Sequence, residues 1–181
     1  MTATSRLRTA EPGPYLRSAR RTSSPSQRDK YQLDVIATDV VDVVRSAGGW
    51  LFDLASTGWK VHVAGLDRCD IRPLQILGIS SRESPTLASV IEAPDVVALA
   101  FSGDVLTDAA TRVGVLNALA AGIAEITLWG KNWTTEIPDD LKPMPYRLSA
   151  AARAFKAQAL VALGSATEPI GSIEEFYTPR A

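Results

Sequence analysis

The stretch from Asp34 to Gly65 constrains this chain most, because it reads as one long apolar-faced helix delivered by a glycine turn into a buried strand. Ile36, Val40, Val43, Ala47, Leu51 and Leu54 recur at steps of three and four, which keeps one side of an α-helix apolar. Asp34, Thr38, Asp39, Asp42, Arg45 and Asp53 mostly fall elsewhere on the wheel. Gly58 then supplies a left-handed cap, and residues 59–65 (Trp-Lys-Val-His-Val-Ala-Gly) form a short strand rich in β-branched residues. The pattern predicts a helix over residues 34–54 packed against a strand over 59–65.

Gly48 and Gly49 interrupt that helix, and each glycine costs about 0.8–1 kcal/mol relative to alanine. Two readings remain open. The pair marks close backbone packing or a kink, or it opens a loop approaching a ligand, in which case residues 34–44 are strand. Neither a Gly-x-Gly-x-x-Gly nor a Gly-x-x-x-x-Gly-Lys-Ser/Thr pattern is present, so nothing points to a dinucleotide or a P-loop, and no cofactor is expected.

With 181 residues, 46% hydrophobic and 22% charged, one globular domain is expected. The formal charge of -1 hides an asymmetry: residues 1–31 carry a net +5 and the remainder a net -6. The first 31 residues are rich in Ser, Thr, Arg and Pro and can bury little, so they are expected to form a disordered basic leader. Contact with nucleic acid would run only through this leader, which lacks interleaved aromatics, Tyr15 standing alone. Arg20-Arg21 is followed by no apolar region, which argues against an export signal. A lone cysteine, Cys69, excludes an internal disulfide, and no apolar run approaches the roughly 18–20 residues of a membrane span, so a cytoplasmic protein is expected. Arginine outnumbers lysine fourteen to five and alanine and valine abound, which suggests a GC-rich bacterial source.

Downstream, Pro73 to Leu77 before Gly78 predicts a short helix, with a strand over Leu74–Ile79 as the alternative. Ser84-Pro85 opens another helix through Ile91. Asp95 to Phe101 is a nearly continuous apolar run, as expected of a strand buried on both faces of a parallel sheet, and Ser102-Gly103-Asp104 is its exit turn. A helix from Thr107 to Gly122 with Val113, Leu116 and Ala120 inward, then a strand over Ile123–Gly130, completes a right-handed strand-helix-strand unit. Residues 130–145 read as a long loop. Leu148–Leu163 reads as an alanine-rich helix with Phe155 and Leu160 inside and Arg153 and Lys156 in solvent. The expected fold is a small three-layer α/β domain over residues 32–164, with a mostly parallel sheet of three or four strands and helices on both faces, followed by a tail over 165–181.

No catalytic constellation emerges. His62, the sole histidine, has no Gly-x-Ser-x-Gly partner, and Cys69 with His62 lacks the paired spacing of a zinc site, so neither catalytic residue nor metal is assigned. Open α/β sheets bind ligands outside the carboxyl ends of their strands, which gathers Asp67, Ser102, Gly103, Asp104, Lys131 and Asn132. Asp104 or Thr107 serves equally as a helix cap. Trp59 and Trp129 are expected in the core. Trp50, Trp133, Phe176 and Tyr177 are candidate interface anchors. The first functional reading is therefore a non-enzymatic accessory or regulatory domain that binds a protein partner or a second copy of itself. The alternative is an enzyme or sensor binding a small ligand at the strand carboxyl ends.

Overall fold

A computed structural model of the chain describes residues 31–66, 69–82, 98–122, 125–130, 141–165 and 169–179. Its strands are β1 (Gln32–Ile36), β2 (Lys60–Ala64), β3 (Ser80–Arg82), β4 (Ala98–Ser102), β5 (Glu125–Trp129), β6 (Leu141–Arg147) and β7 (Ile173–Pro179). Its α-helices are α1 (Val40–Asp42), α2 (Gly48–Ser56), α3 (Arg72–Ile76), α4 (Ala109–Ala121) and α5 (Ala150–Ala162). The strands form one sheet in the order β3-β2-β1-β4-β5-β7-β6. Neighbours from β3 to β5 run parallel, and β7 pairs antiparallel with both β5 and β6.

β1, β4 and β5 each send side chains to two cores. Leu33, Val35, Ala98 and Ala100 pack under α2, α3 and α5, while Leu99, Phe101, Ile126 and Leu128 meet Val115 and Ala118 of α4. The chain is therefore an α/β protein with helices on both sheet faces. All five residues of β4 are buried, which is why its sequence is apolar up to the closing Ser102. The expected three or four strands are corrected to seven, because β3 is only three residues long and the β6–β7 ribbon does not carry the apolar signature of the parallel strands.

The expected long helix is also corrected. Residues 34–36 belong to β1, held between β2 and β4, and Asp39 ends the connection by accepting a hydrogen bond from the Val41 amide at 2.8 Å. Ile36 merely fell in phase with the helix that follows. Between α1 and α2 the chain takes a π-helical turn over Val43–Ala47 and restarts at Gly48. The restart leaves amides without helical partners, and Glu174 accepts from the Gly49 and Trp50 N–H groups at 2.9 and 2.8 Å. A Cβ on Gly49 would lie 2.5 Å from the Leu148 side chain and 3.1 Å from the Glu174 carboxylate. The glycine pair thus permits close packing at a break in the helix, and no ligand loop opens there.

Pro73 and Gly78 bound a helix, α3, and not the alternative strand. In α4 the inward residues are Val115 and Ala118, which pack on the β4–β5 core, whereas Val113 is exposed. In α5 the expectation inverts at two positions: Phe155 lies outside, stacked on Phe52 with ring centroids 4.5 Å apart, and Lys156 is buried. The last five residues of the expected loop, 141–145, belong to β6, whose Pro143 and Pro145 sit on a sheet edge that tolerates a missing N–H. The expected tail supplies β7, which lies inside the sheet, so the domain does not stop at residue 164. Residues 1–30 of the leader and the 84–91 helix lie outside the described residues. Among the described residues no helix is long and apolar enough to cross a membrane.

Candidate functional site at the strand carboxyl ends

The strand order reverses between β1 and β4, since α1 and α2 leave β1 toward one face and α4 follows β4 on the other. Such a switch point leaves a crevice at the strand ends where ligands bind in open α/β sheets. Asp42 stands there. Its Oδ2 accepts from the Ser102 hydroxyl at 2.7 Å and the Trp129 indole N–H at 2.8 Å, and its Oδ1 accepts from the Ser46 hydroxyl at 2.8 Å. Ser102 and Trp129 are register partners and the last residues of β4 and β5, so one carboxylate ties together the ends of two strands and the helix leaving a third.

Beside this hub β5 and β7 pair at Leu128 with Tyr177, and past that pairing Gly130 and Glu175 line a common cleft. The cleft, of about 410 Å³, is walled by Arg45 and Ser46 of the π-helical turn, Lys156 of α5, and Glu174, Glu175 and Tyr177 of β7. Lys156 donates to the Arg45 carbonyl at 2.5 Å and to Glu174 Oε1 at 2.6 Å. The pair bonds both sides of the break in the helix: the carboxylate takes the Gly49 and Trp50 amides and the ammonium takes the Arg45 carbonyl. Burial pushes the Glu174 carboxyl above its usual range, opposed by the Lys156 charge and the two amides.

No protein-family model matches the sequence, and no curated protein matches it. Solved structures do match in fold. The zinc-inhibited form of teicoplanin deacetylase Orf2 superposes with a TM-score of 0.60 at 16% identity, covering 82% of this chain and 97% of that one. The deacetylase–teicoplanin complex gives 0.59 at 17% identity, with 82% and 97% covered. The A40926 pseudoaglycone deacetylase Dbv21 gives 0.57 at 19% identity, with 83% and 97% covered. At these identities the likeness is one of fold. It corrects the expectation of a non-enzymatic accessory domain working through protein binding, because these neighbours, matched over nearly their whole length, are enzymes.

Of the residues singled out from sequence, Ser102 joins the Asp42 hub and Gly103 is buried at the start of a 3-10 turn over Gly103–Thr107. Asp104 is exposed, and the cap of α4 is Asp108, which accepts from the Thr111 amide at 2.8 Å, in place of Asp104 or Thr107. Asp67, Lys131, Asn132 and Trp133 lie outside the described residues. Trp50 and Phe176 are corrected from interface anchors to core: both are buried, with ring centroids 4.7 Å apart. Tyr177 is half-buried at the cleft. Sequence reasoning missed Asp42, Ser46, Lys156 and Glu174. Asp42 looked like the polar side of a helix, and Lys156 on an alanine-rich helix looked like a solvent contact. His62 points away from the cleft side, its Nδ1 2.6 Å from the Ser80 hydroxyl.

Proposed function

We propose that this chain is a small-ligand-binding enzyme or sensor, with its site in the cleft between β5 and β7 and the adjoining Asp42 hub. The observation that carries the reading is the polar cleft of about 410 Å³ at the carboxyl ends of the parallel strands. That volume falls in the range of about 300–1,000 Å³ typical of small-molecule sites. Support also comes from the neighbours, which are enzymes of the same fold. Their named reaction puts acylated small molecules in the first panel to test. Asp42 acts here as a positioning group, because its oxygens already accept three hydrogen bonds. Among the described residues no three His, Cys, Asp or Glu side chains gather as a metal site.

The test is metabolite capture on the full chain, read by mass spectrometry against a Gly171→Phe variant. Gly171 lines the cleft, and a Cβ there meets its nearest atom at 3.5 Å, an ordinary contact, so a side chain can begin there without a backbone clash and a large one is expected to take up cleft volume. A small molecule enriched by the native chain and lost by the variant supports the reading. Equal recovery by both, or no enrichment over denatured protein, overturns it.

A further inference from the structure

We propose that Ser80, His62 and Asp34 form a reactive site separate from the cleft, at the β3 edge of the sheet, which hydrolyses small carboxylic esters through an acyl-Ser80 intermediate. Asp34, His62 and Ser80 are register partners on β1, β2 and β3, so their side chains stand in one row on one face of the sheet. It is the face opposite Leu33, Val35, Val61 and Val63, which belong to the core under α2, α3 and α5. His62 Nδ1 lies 2.6 Å from the Ser80 hydroxyl, the contact that a serine nucleophile makes with its base. The hydroxyl has a second acceptor in the Val61 carbonyl, but at 3.2 Å it is the more distant of the two. Ser80 is exposed and His62 half-buried, so an ester can reach the oxygen.

The charges around the pair suit the reaction. Burial, then the Arg82 charge, holds His62 below its ordinary pKa, so the ring is neutral and accepts a proton. Asp34 is 4% exposed, accepts from Gln32 Nε2 at 3.0 Å, and faces the ring from the other side of the row. Its charge favours the imidazolium that forms once the proton arrives. Arg82, two residues beyond Ser80 on the same face of β3, reaches across to within 3.7 Å of Asp34 Oδ1. Its guanidinium is placed for the oxygen on which negative charge develops. In the step itself, Ser80 Oγ bonds to the acyl carbon as its proton passes to His62 Nδ1, and the carbonyl oxygen becomes an alkoxide. When the carbonyl reforms, the bond to the alcohol oxygen breaks and that oxygen takes the proton from His62. Water then repeats the sequence on acyl-Ser80, releasing the acid and restoring the hydroxyl.

The experiment treats the full chain at about pH 8, where the ring is neutral, with a fluorophosphonate and separately with para-nitrophenyl acetate, and maps the adducts by peptide mass spectrometry. Both reagents are expected to label Ser80. Ser80→Ala is expected to lower nitrophenol release, and His62→Gln to slow Ser80 labelling, each by at least about tenfold, the loss of a general base. Thermal unfolding checks that both variants fold, and labelling of the native chain needs neither. An unlabelled Ser80, label on Cys69 or Ser81 alone, or an unchanged labelling rate in folded His62→Gln would overturn the site.

Discussion

The five parallel strands and the β6–β7 ribbon share one sheet but are held by different means. β1, β4 and β5 present apolar side chains to both faces and are stabilised by area removed from water. The ribbon has an exposed edge, two prolines in β6 and a charged pair of residues in β7; it places Phe176 in the core and is tied to α2 and α5 through Glu174, which accepts from Gly49, Trp50 and Lys156. The parallel half therefore resists single changes in proportion to volume lost. The ribbon depends on a few polar groups that cannot be replaced one at a time. The same ribbon forms one wall of the cleft, through Ile173, Glu174, Glu175 and Tyr177 of β7.

The largest effect tests that contrast directly. Lys156→Met is expected to destabilise the chain by about 3–5 kcal/mol in chemical unfolding, because it leaves a buried carboxylate without its cation. Lys156→Met combined with Glu174→Gln should recover part of that loss. If the single change costs under about 1 kcal/mol, the ribbon is not held by the pair. In the parallel half, Leu99→Ala, at a fully buried position, is expected to cost about 2–5 kcal/mol, with no rescue by a second polar change. A smaller effect belongs to Gly49→Ala, whose Cβ must displace Leu148; about 1–3 kcal/mol is expected by thermal or chemical unfolding, and a neutral result would break the close-packing account of the glycine pair.

Ser149→Ala sharpens the comparison at the junction of ribbon and helix. Ser149 caps α5 through the Ala152 amide at 2.9 Å and donates to Asp53 at 2.6 Å, and its loss is expected to cost about 0.5–2 kcal/mol. The smallest effect is a pH dependence at the opposite edge of the sheet. Burial, then the Arg82 charge, lowers the His62 pKa, against the opposing Asp34 carboxylate. A lowered histidine pKa means that the folded chain prefers neutral imidazole. The contribution is thus present above the ordinary value of 6.5 and is lost as pH falls through it. His62→Asn should flatten the acid side of the stability curve measured between about pH 7 and 5. A steeper curve for the variant would reverse the assigned sign.

What the sequence determined alone was local and apolar. β2 between Gly58 and Gly65, α3 between Pro73 and Gly78, the run that becomes β4, and the end of α4 at Gly122 were legible because each is set by residues adjacent in the chain. Ser102 and Gly103 were legible as strand-end residues for the same reason. Tertiary structure decided the rest. Residues 34–36 became strand because β2 and β4 flank them, overriding a helical period. Glu174 reaches Gly49 across 125 positions of sequence and Lys156 across 18, and the break in the helix is bearable only because those two charges meet at it. No local pattern encodes such a meeting. A buried lysine and a solvated one have the same side chain, and only the fold that brings a carboxylate and a free carbonyl to its ammonium tells them apart.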